Sequence, residues 1–306
     1  MKQKDISKQK DSNNNNNNNS NESDSEDEIN DETITQSHKA FKQFLAEHKI
    51  KSGAKDIECT HTLFGKSSDE FGAYHIPDKD NTKFLNLYKN IVGYRNDLYV
   101  IERQKDIGPI LIDIDYRTPK KSRGERTYRE EHMIKLNEYL LKAVKNFFVI
   151  ENKNDFECFV FEKDEPTYDE NKNNYKDGFH IVCPLPFHVK MRWFIREKIK
   201  DMAEEEGLFS DINYIDGTTY GEVFDKSVVI SNGWFMYGSK KGSSTGPYRL
   251  TKILNHMNKP VKIQKYDEQE LAVHLSVRRW QDEDDVIKLK EQYEDNEDFQ
   301  TELEEI

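Results

Sequence analysis

The segment Ile110-Leu111-Ile112-Asp113-Ile114-Asp115 most limits how this chain can fold. Its run of branched apolar residues, after the turn predicted at Gly108-Pro109, is typical of a β-strand. Because side chains alternate along a strand, Ile112 and Ile114 point into a core, while Leu111, Asp113 and Asp115 share the other face. The sequence therefore predicts a sheet with one buried side and two carboxylates on its opposite side.

The chemistry of Asp113 and Asp115 depends on what lies near them. Two carboxylates on one strand face are roughly 6–7 Å apart at the backbone. Their oxygens can converge on one Mg²⁺, or straddle two such ions held about 4 Å apart. Without a cation between them, placing two carboxylates side by side is unfavourable. The alternative is that they are solvated acids at the end of a strand, and the pair alone does not decide between these two interpretations.

Two later segments contain further candidate residues. His180 lies in a short apolar strand beside Gly178, where an imidazole can hydrogen-bond a phosphate or simply a backbone partner. Asp225 precedes the apolar run 228–230, where a third carboxylate would complete a metal cluster. Lys240 and Lys241 follow in the Gly/Ser-rich loop 238–246, which either approaches phosphates closely or is an ordinary solvated loop.

The charge of the chain is concentrated at its two ends. The net charge is −12, with five Lys and nine acids in residues 1–40 and two Lys and twelve acids in residues 281–306. The 240 residues between them therefore carry +2. An acidic total does not exclude a nucleic-acid partner when the acidity lies in segments that can move aside.

The chain divides into three predicted parts. Residues 1–40, with seven consecutive Asn and an acidic run, predict a disordered tail. Residues 41–280 predict one catalytic domain, and residues 281–306 predict an acidic linker or tail. Within the domain we expect a helix near 84–91, another that starts with a Thr127/Glu130 capping box, and a third at 190–206. The expected strands are 98–102, 110–115, 156–162 and 178–183, with 228–230 and 234–237 forming a hairpin around Asn232-Gly233.

Cys59, Cys158 and Cys183 form no CxxC pair, which argues against a disulfide framework and against a cysteine-only zinc site. We find no apolar run near 18 residues and no signal peptide, so we expect an intracellular protein without a membrane partner. If the protein is viral, we expect it in the replication compartment of the host cytoplasm. Gly65-Lys66-Ser67 has no glycine at the position that a Walker A loop requires, so we expect no P-loop ATPase.

Taken in order, an acid pair on a strand, a strand histidine and an acid before a strand resemble the archaeo-eukaryotic primase superfamily. Three segments in particular are similar to the primase domain of the primase–helicases of nucleocytoplasmic large DNA viruses. They are 110–117, 176–181 and 232–239, and the resemblance covers roughly residues 55–280.

The resemblance implies an α/β (α+β) fold with an RRM-like antiparallel sheet that bears the acids. It implies that Asp113, Asp115 and Asp225 bind the catalytic metals, and that His180 contacts the phosphates of the incoming nucleotide. Members of the group usually continue into a helicase domain, so a replicative helicase domain or subunit is the expected partner.

The leading hypothesis is a primase or primase-polymerase that uses two Mg²⁺ or Mn²⁺ ions, nucleoside triphosphates and a single-stranded DNA template. Ser239, Lys240, Lys241 and Arg117 are the further candidates for nucleotide binding. Template contacts are expected from basic and aromatic residues of the loop after the acid strand: Lys120, Lys121, Arg123, Arg126, Tyr116 and Tyr128.

Two alternatives remain. One is a catalytically inactive primase-like module that docks a helicase or DNA. The other is a different metal-dependent nucleotidyltransferase or a nuclease, although neither of these predicts a histidine cluster between the acids.

Overall fold

The structure is a computed structural model that describes residues 31–65, 71–95, 97–241, 246–280 and 282–305. The helices are α1 Asp31–His48, α2 Asp78–Lys89, α3 Glu130–Phe147, α4 Val189–Glu205, α5 Tyr220–Val223, α6 Ser227–Ile230, α7 Glu268–His274, α8 Glu291–Glu294 and α9 Glu297–Glu305. The strands are β1 His61–Phe64, β2 Phe71–Tyr74, β3 Val100–Glu102, β4 Ile107–Pro119, β5 Glu157–Glu162, β6 Thr167–Asp169, β7 Asn174–His188, β8 Trp234–Phe235, β9 Arg249–Asn255 and β10 Pro260–Val261.

The larger sheet has six strands in the order β10-β9-β5-β7-β4, with β6 paired to β7. All of its pairings are antiparallel. The long strands β4 and β7 run side by side, and their register sets Asp113 opposite His180 and Asp115 opposite Gly178. This mixed α/β architecture with antiparallel sheets confirms the predicted fold class.

One face of the larger sheet is covered by α3 and α4, which both pack on the same hydrophobic core. Ile112 and Ile114 of β4 are buried there, as predicted from the alternation. The predicted apolar face of α3 is confirmed, because Met133, Leu136, Leu140 and Val144 are all buried in this core. On the opposite face, Leu111 of β4 is buried in a smaller apolar cluster that adjoins the two acids.

A second sheet has four strands in the order β2-β1-β3-β8 and packs against α1 and α2 around its own core. Its last strand, β8, pairs with β3 so that Trp234 lies opposite Glu102. Trp234 is also part of the apolar cluster that adjoins the acids on the larger sheet. The two sheets therefore meet beside the predicted site.

Several local predictions are wrong, for identifiable reasons. The expected hairpin around Asn232-Gly233 does not form, because Ser227–Ile230 is a short helix whose first N–H donates to the Asp225 carboxylate, and β8 pairs with β3 instead. Helix α3 begins at Glu130 after Arg129, whose backbone N–H donates to His132, so Thr127 is not its cap.

Parts of the two segments that were predicted to be tails are helical. Helix α1 begins at Asp31, so residues 31–40 of the predicted tail are helical, while residues 1–30 lie outside the described residues. In the predicted acidic linker, Phe299 and Leu303 of α9 are buried in the main core, with Phe299 in ring contact with Phe147 and Phe194. This segment therefore contributes to the packing of the domain.

In the described part of the chain, no helix is both long enough and apolar enough to cross a membrane. Cys59, Cys158 and Cys183 are all outside disulfide bonds.

Candidate active site

Asp113 and Asp115 lie on the face of β4 that points away from the main core. Their side chains are 16% and 26% exposed, so both carboxylates are largely shielded from water. His180 of the neighbouring strand contacts Asp113, with 3.3 Å between His180 Nε2 and Asp113 Oδ1. The sequence-predicted pair and the predicted histidine are therefore direct cross-strand neighbours.

Lys176 of β7 lies on the same sheet face and forms an ion pair with Asp115. Its Nζ is 2.5 Å from Asp115 Oδ2. Between Lys176 and His180, Gly178 stands directly opposite Asp115. A Cβ at Gly178 would come within 1.8 Å of the Ile114 carbonyl oxygen, so the close approach of β4 and β7 requires glycine here.

Burial acts to raise the pKa of both carboxyl groups, yet the two shift in opposite directions. For Asp113, the charge and hydrogen bond of His180 outweigh burial, and the pKa lies below its ordinary value. For Asp115, burial together with the charge of Asp113 outweighs the ion pair with Lys176, and the pKa is raised. Neighbouring acids whose pKa values are shifted in opposite directions are typical of a functional cleft.

Asp225 lies on the other flank of β4. Ile114 and Phe224 form an isolated antiparallel bridge, and the Asp225 N–H donates to the Asp113 carbonyl at 3.0 Å. This register sets Asp225 opposite Asp113, and opposite residues of an antiparallel pair share a face. The Asp225 carboxylate, however, accepts hydrogen bonds from the N–H and hydroxyl of Ser227 at 2.9 and 2.6 Å.

The chemistry of Asp113 and Asp115 is that of a candidate cation site. Two shielded carboxylates on one face suit a hard divalent cation, which prefers oxygen ligands. Lys176 already places a positive charge on Asp115, so the position stabilises a cation. Within the described ranges, however, no group of three or more His, Cys, Asp and Glu side chains is arranged to hold a metal ion. The two carboxylates of Asp113 and Asp115 therefore have the chemistry that a divalent cation prefers, whereas the Asp225 carboxylate is bound to Ser227.

Three residues that the sequence analysis did not select complete the site. Tyr248 stacks on His180, with 3.7 Å between ring centroids and 22° between ring planes. The Trp234 ring also contacts His180, with 4.7 Å between ring centroids. Lys163 lies over the Tyr248 ring, 5.0 Å from its centroid. The sequence signal for Lys163 was its spacing from Phe159 and Phe161, which alternate on β5.

The other candidate nucleotide-binding residues are placed differently from the acids. Arg117 shares their face of β4, but its guanidinium donates to Asp169 and Asn174 at 2.9 and 2.7 Å. Ser239 is buried beside α2 and β3. Its hydroxyl contacts the Tyr88 hydroxyl and accepts a hydrogen bond from the Val100 N–H.

Lys240 is partly buried near the ring of Tyr99, and its backbone N–H donates to Leu98. Lys241 is exposed at the point where the described residues end, since 242–245 of the predicted loop lie outside them.

The expected template contacts also change. Tyr116 and Tyr128 are 3% and 4% exposed, so their rings are not open to nucleic-acid bases. Arg126 is bound to the buried Asp177 and to the Lys163 carbonyl oxygen. Lys120, Lys121 and Arg123 are exposed on the surface turn that follows β4.

An antiparallel sheet with an acid pair on the face turned away from α3 and α4 is the architecture expected of an archaeo-eukaryotic primase (AEP) domain. Residues 60–254 match the family described as "C962R protein N-terminal AEP domain". The chain belongs to this family.

Three viral proteins are similar to this chain. "Putative helicase L207/L206" of Acanthamoeba polyphaga mimivirus is 29% identical over 210 residues, which cover 68% of this chain and 21% of that protein. "Putative helicase 184R" of Invertebrate iridescent virus 6 is 27% identical over 246 residues, 74% of this chain and 24% of that protein. "Putative helicase 121R" of Invertebrate iridescent virus 3 is 25% identical over 232 residues, 69% and 23% respectively. The chain thus spans between a fifth and a quarter of the length of these relatives.

Proposed function

We propose that this chain is a DNA primase domain that performs metal-dependent, template-directed nucleotidyl transfer and makes primers on single-stranded DNA during viral replication. The observation that carries the proposal is the row of side chains across β7 and β4. His180 and Asp113 face each other across the two strands, with Asp115 two residues further along the same face. Membership of the archaeo-eukaryotic primase family supports the same activity.

In this proposal Asp113 and Asp115 would hold two divalent cations, Mg²⁺ or Mn²⁺, and Asp225 would be the third ligand if its carboxylate left Ser227. When bound, such ions lower the pKa of an attacking hydroxyl and neutralise the charge of a triphosphate. His180 is held by Tyr248 and Trp234 with one ring nitrogen on Asp113. That arrangement leaves its imidazole at the edge of the acids, where the phosphates of a nucleotide would lie.

Other cations near the acids serve the triphosphate. Lys176 is bound to Asp115 and would be available to contact phosphate if a cation neutralised that carboxylate. Lys240 and Lys241 are proposed to reach the nucleotide from the loop that follows β8. Arg117 would join them only by leaving Asp169 and Asn174, so we propose that its main role is to fix the end of β4.

The proposed partners are a single-stranded DNA template, nucleoside triphosphates and a replicative helicase domain or subunit. The helicase proposal rests on the names of the viral relatives and on the short share of their length that this chain spans. The exposed Lys120, Lys121 and Arg123 are the proposed contacts to template phosphates, which would make template binding salt-dependent.

The test is primer synthesis from labelled nucleotides on a single-stranded template with Mg²⁺ or Mn²⁺. We expect the Asp113→Asn/Asp115→Asn variant to lose at least about a hundredfold in rate, since it removes the proposed metal ligands. An Asp284→Asn/Asp285→Asn variant is the matched control, because both of these acids are exposed and lie outside strands β4 and β7. Full activity in the first variant would contradict the assignment.

A second candidate function has one observation in its favour. The Asp225 carboxylate accepts hydrogen bonds from Ser227, and among the described residues it does not form a metal-binding group with Asp113 and Asp115. This arrangement fits a catalytically inactive module that docks a helicase or DNA. Calorimetric titration separates the two candidates, because the primase must bind both Mn²⁺ and a nucleoside triphosphate, whereas an inactive docking module needs neither.

A further inference from the structure

We propose that Lys163 is a further substrate-binding residue, whose ammonium group contacts the triphosphate of the incoming nucleotide, and that Tyr248 is the positioning residue that holds it there. This inference rests on the proposed function, because it assigns residues to the nucleotide-binding step of that reaction.

The first argument is the location of Lys163 just after β5. Phe161 lies opposite His180 in the β5–β7 register, so Phe161 shares the face of the acids. Side chains alternate, and Lys163, two residues later, points to that same face. Its charge interactions agree: burial and Lys176 lower the pKa of Lys163, while Asp115 and Asp113 act to raise it.

The second argument is that the backbone at Lys163 is fixed. The Arg126 guanidinium donates to the Lys163 carbonyl oxygen at 2.6 Å. Arg126 is itself bound to Asp177, which is only 2% exposed, and lies 3.4 Å from Glu162. A cation on such an anchored segment loses little freedom when it binds a ligand.

The third argument is a contrast between the two lysines beside the acids. The ammonium of Lys176 is committed to Asp115 at 2.5 Å. In the described part of the chain, the Lys163 ammonium has no carboxylate within ion-pair distance and makes no hydrogen bond, and its contact is the Tyr248 ring. A partly buried cation that faces the site without an anionic partner is suited to an anionic substrate.

The fourth argument concerns Tyr248, which contacts both Lys163 and His180. Its ring is stacked on the imidazole at 3.7 Å and lies beneath the ammonium at 5.0 Å. Stacking on one group and a cation–π contact with the other hold both at fixed positions beside the acids. Tyr248 thereby couples the two groups that are proposed to meet the phosphates.

Equilibrium binding of ATP, dATP and inorganic tripolyphosphate, each with Mg²⁺ and without template, tests the role of Lys163. We expect Lys163→Gln to weaken binding of all three by about tenfold or more, because a charge-assisted contact to phosphate is lost. Lys142→Gln, an exposed lysine on α3, is the matched control and should bind within about twofold of the wild type.

Two substitutions of Tyr248 test its positioning role. Tyr248→Phe keeps the ring and should bind within about twofold of the wild type, whereas Tyr248→Leu removes it and should weaken binding about fivefold or more. Lys163→Gln should cost much less in the Tyr248→Leu background than in the wild type, because the ring no longer holds the ammonium in place. A tyrosine that merely supports the fold would give effects that multiply, and melting temperatures verify that each variant is folded.

Three results would overturn the inference. The first is unchanged triphosphate binding by Lys163→Gln, the second is full multiplication of the Lys163 and Tyr248 effects, and the third is unchanged binding by Tyr248→Leu. If the wild type makes primers while Lys163→Gln binds normally, this inference fails and the proposed function stands. If the wild type binds none of the three ligands, both fail.

Discussion

Gly178 is the position where a single added methyl group should most disturb the site. An alanine Cβ there would stand 1.8 Å from the Ile114 carbonyl oxygen and 3.1 Å from the Asp115 Cα, whereas ordinary contacts begin at 3.4 Å. The obstacle is backbone, so it cannot rotate away as a flexible side chain would. Strands β4 and β7 would have to separate locally by the difference, about 1.6 Å.

The cost follows from the hydrogen bonds that such a separation would break. Two or three cross-strand bonds, each contributing roughly 0.5–1.5 kcal/mol, give a loss of about 1–4.5 kcal/mol in the free energy of unfolding. At a position without steric conflict, Gly→Ala is instead stabilising by about 0.5–1 kcal/mol. The sign of the change therefore tests the close approach of the two strands.

The assay is chemical denaturation of Gly178→Ala and of Gly221→Ala as its matched control. Gly221 lies in helix α5, and a Cβ there would meet only the Thr219 hydroxyl oxygen at an ordinary 3.8 Å. We expect Gly221→Ala to be neutral or stabilising. If Gly178→Ala is as stable as the wild type, the reasoning about the β4–β7 register is refuted.

Three further predictions test other parts of the account. Although burial opposes the shift, His180 lowers the pKa of Asp113, so this acid stabilises the fold above the ordinary aspartate pKa of 3.8, and the stabilisation is lost as the pH falls through the lowered value. Asp113→Asn should therefore flatten the fall of the melting temperature below about pH 4, and an unchanged acid slope would contradict this. Ser239→Ala removes the acceptor of the Val100 N–H and should destabilise the fold by about 1–3 kcal/mol, while nucleotide affinity stays the same. Phe299→Ala should cost about 3–5 kcal/mol in chemical denaturation, and a loss under about 1 kcal/mol would show that α9 is not part of the core.

The parts of the site that lie within one strand could be predicted from the sequence. The alternation in β4 correctly set Asp113 and Asp115 on one face and Ile112 and Ile114 in the core, because the period of two is a local property. The neighbour of each acid could not be read in this way. That His180 stands opposite Asp113 depends on the β4–β7 register, which joins segments more than sixty residues apart.

The wrong predictions share a cause, which is that local propensity was overridden by a specific contact. Val228, Val229 and Ile230 are strong strand formers, yet they lie in a helical turn that begins at Ser227, whose N–H and hydroxyl both donate to the Asp225 carboxylate. Lys163 was overlooked because it stands at the start of a polar loop, and Tyr248 approaches His180 only through the fold.

For the C-terminal segment and for Ser239, too, local sequence does not reveal the contacts that the fold creates. The acidic composition of residues 281–306 hid Phe299 and Leu303, although their spacing of four residues is a helical signal. Ser239 stands beside two lysines in a Gly-rich loop, and only the packing against Tyr88 and Val100 shows that its hydroxyl is buried.

The central claim is that Asp113, Asp115 and Asp225 together hold the catalytic cations. The most direct test is anomalous diffraction from crystals of the protein soaked with Mn²⁺ and a non-hydrolysable nucleoside triphosphate. We predict manganese peaks bound by the Asp113 and Asp115 carboxylates, with Asp225 released from Ser227 to join them. Manganese bound elsewhere, or no manganese at the acid pair while Asp225 stays on Ser227, would contradict the account.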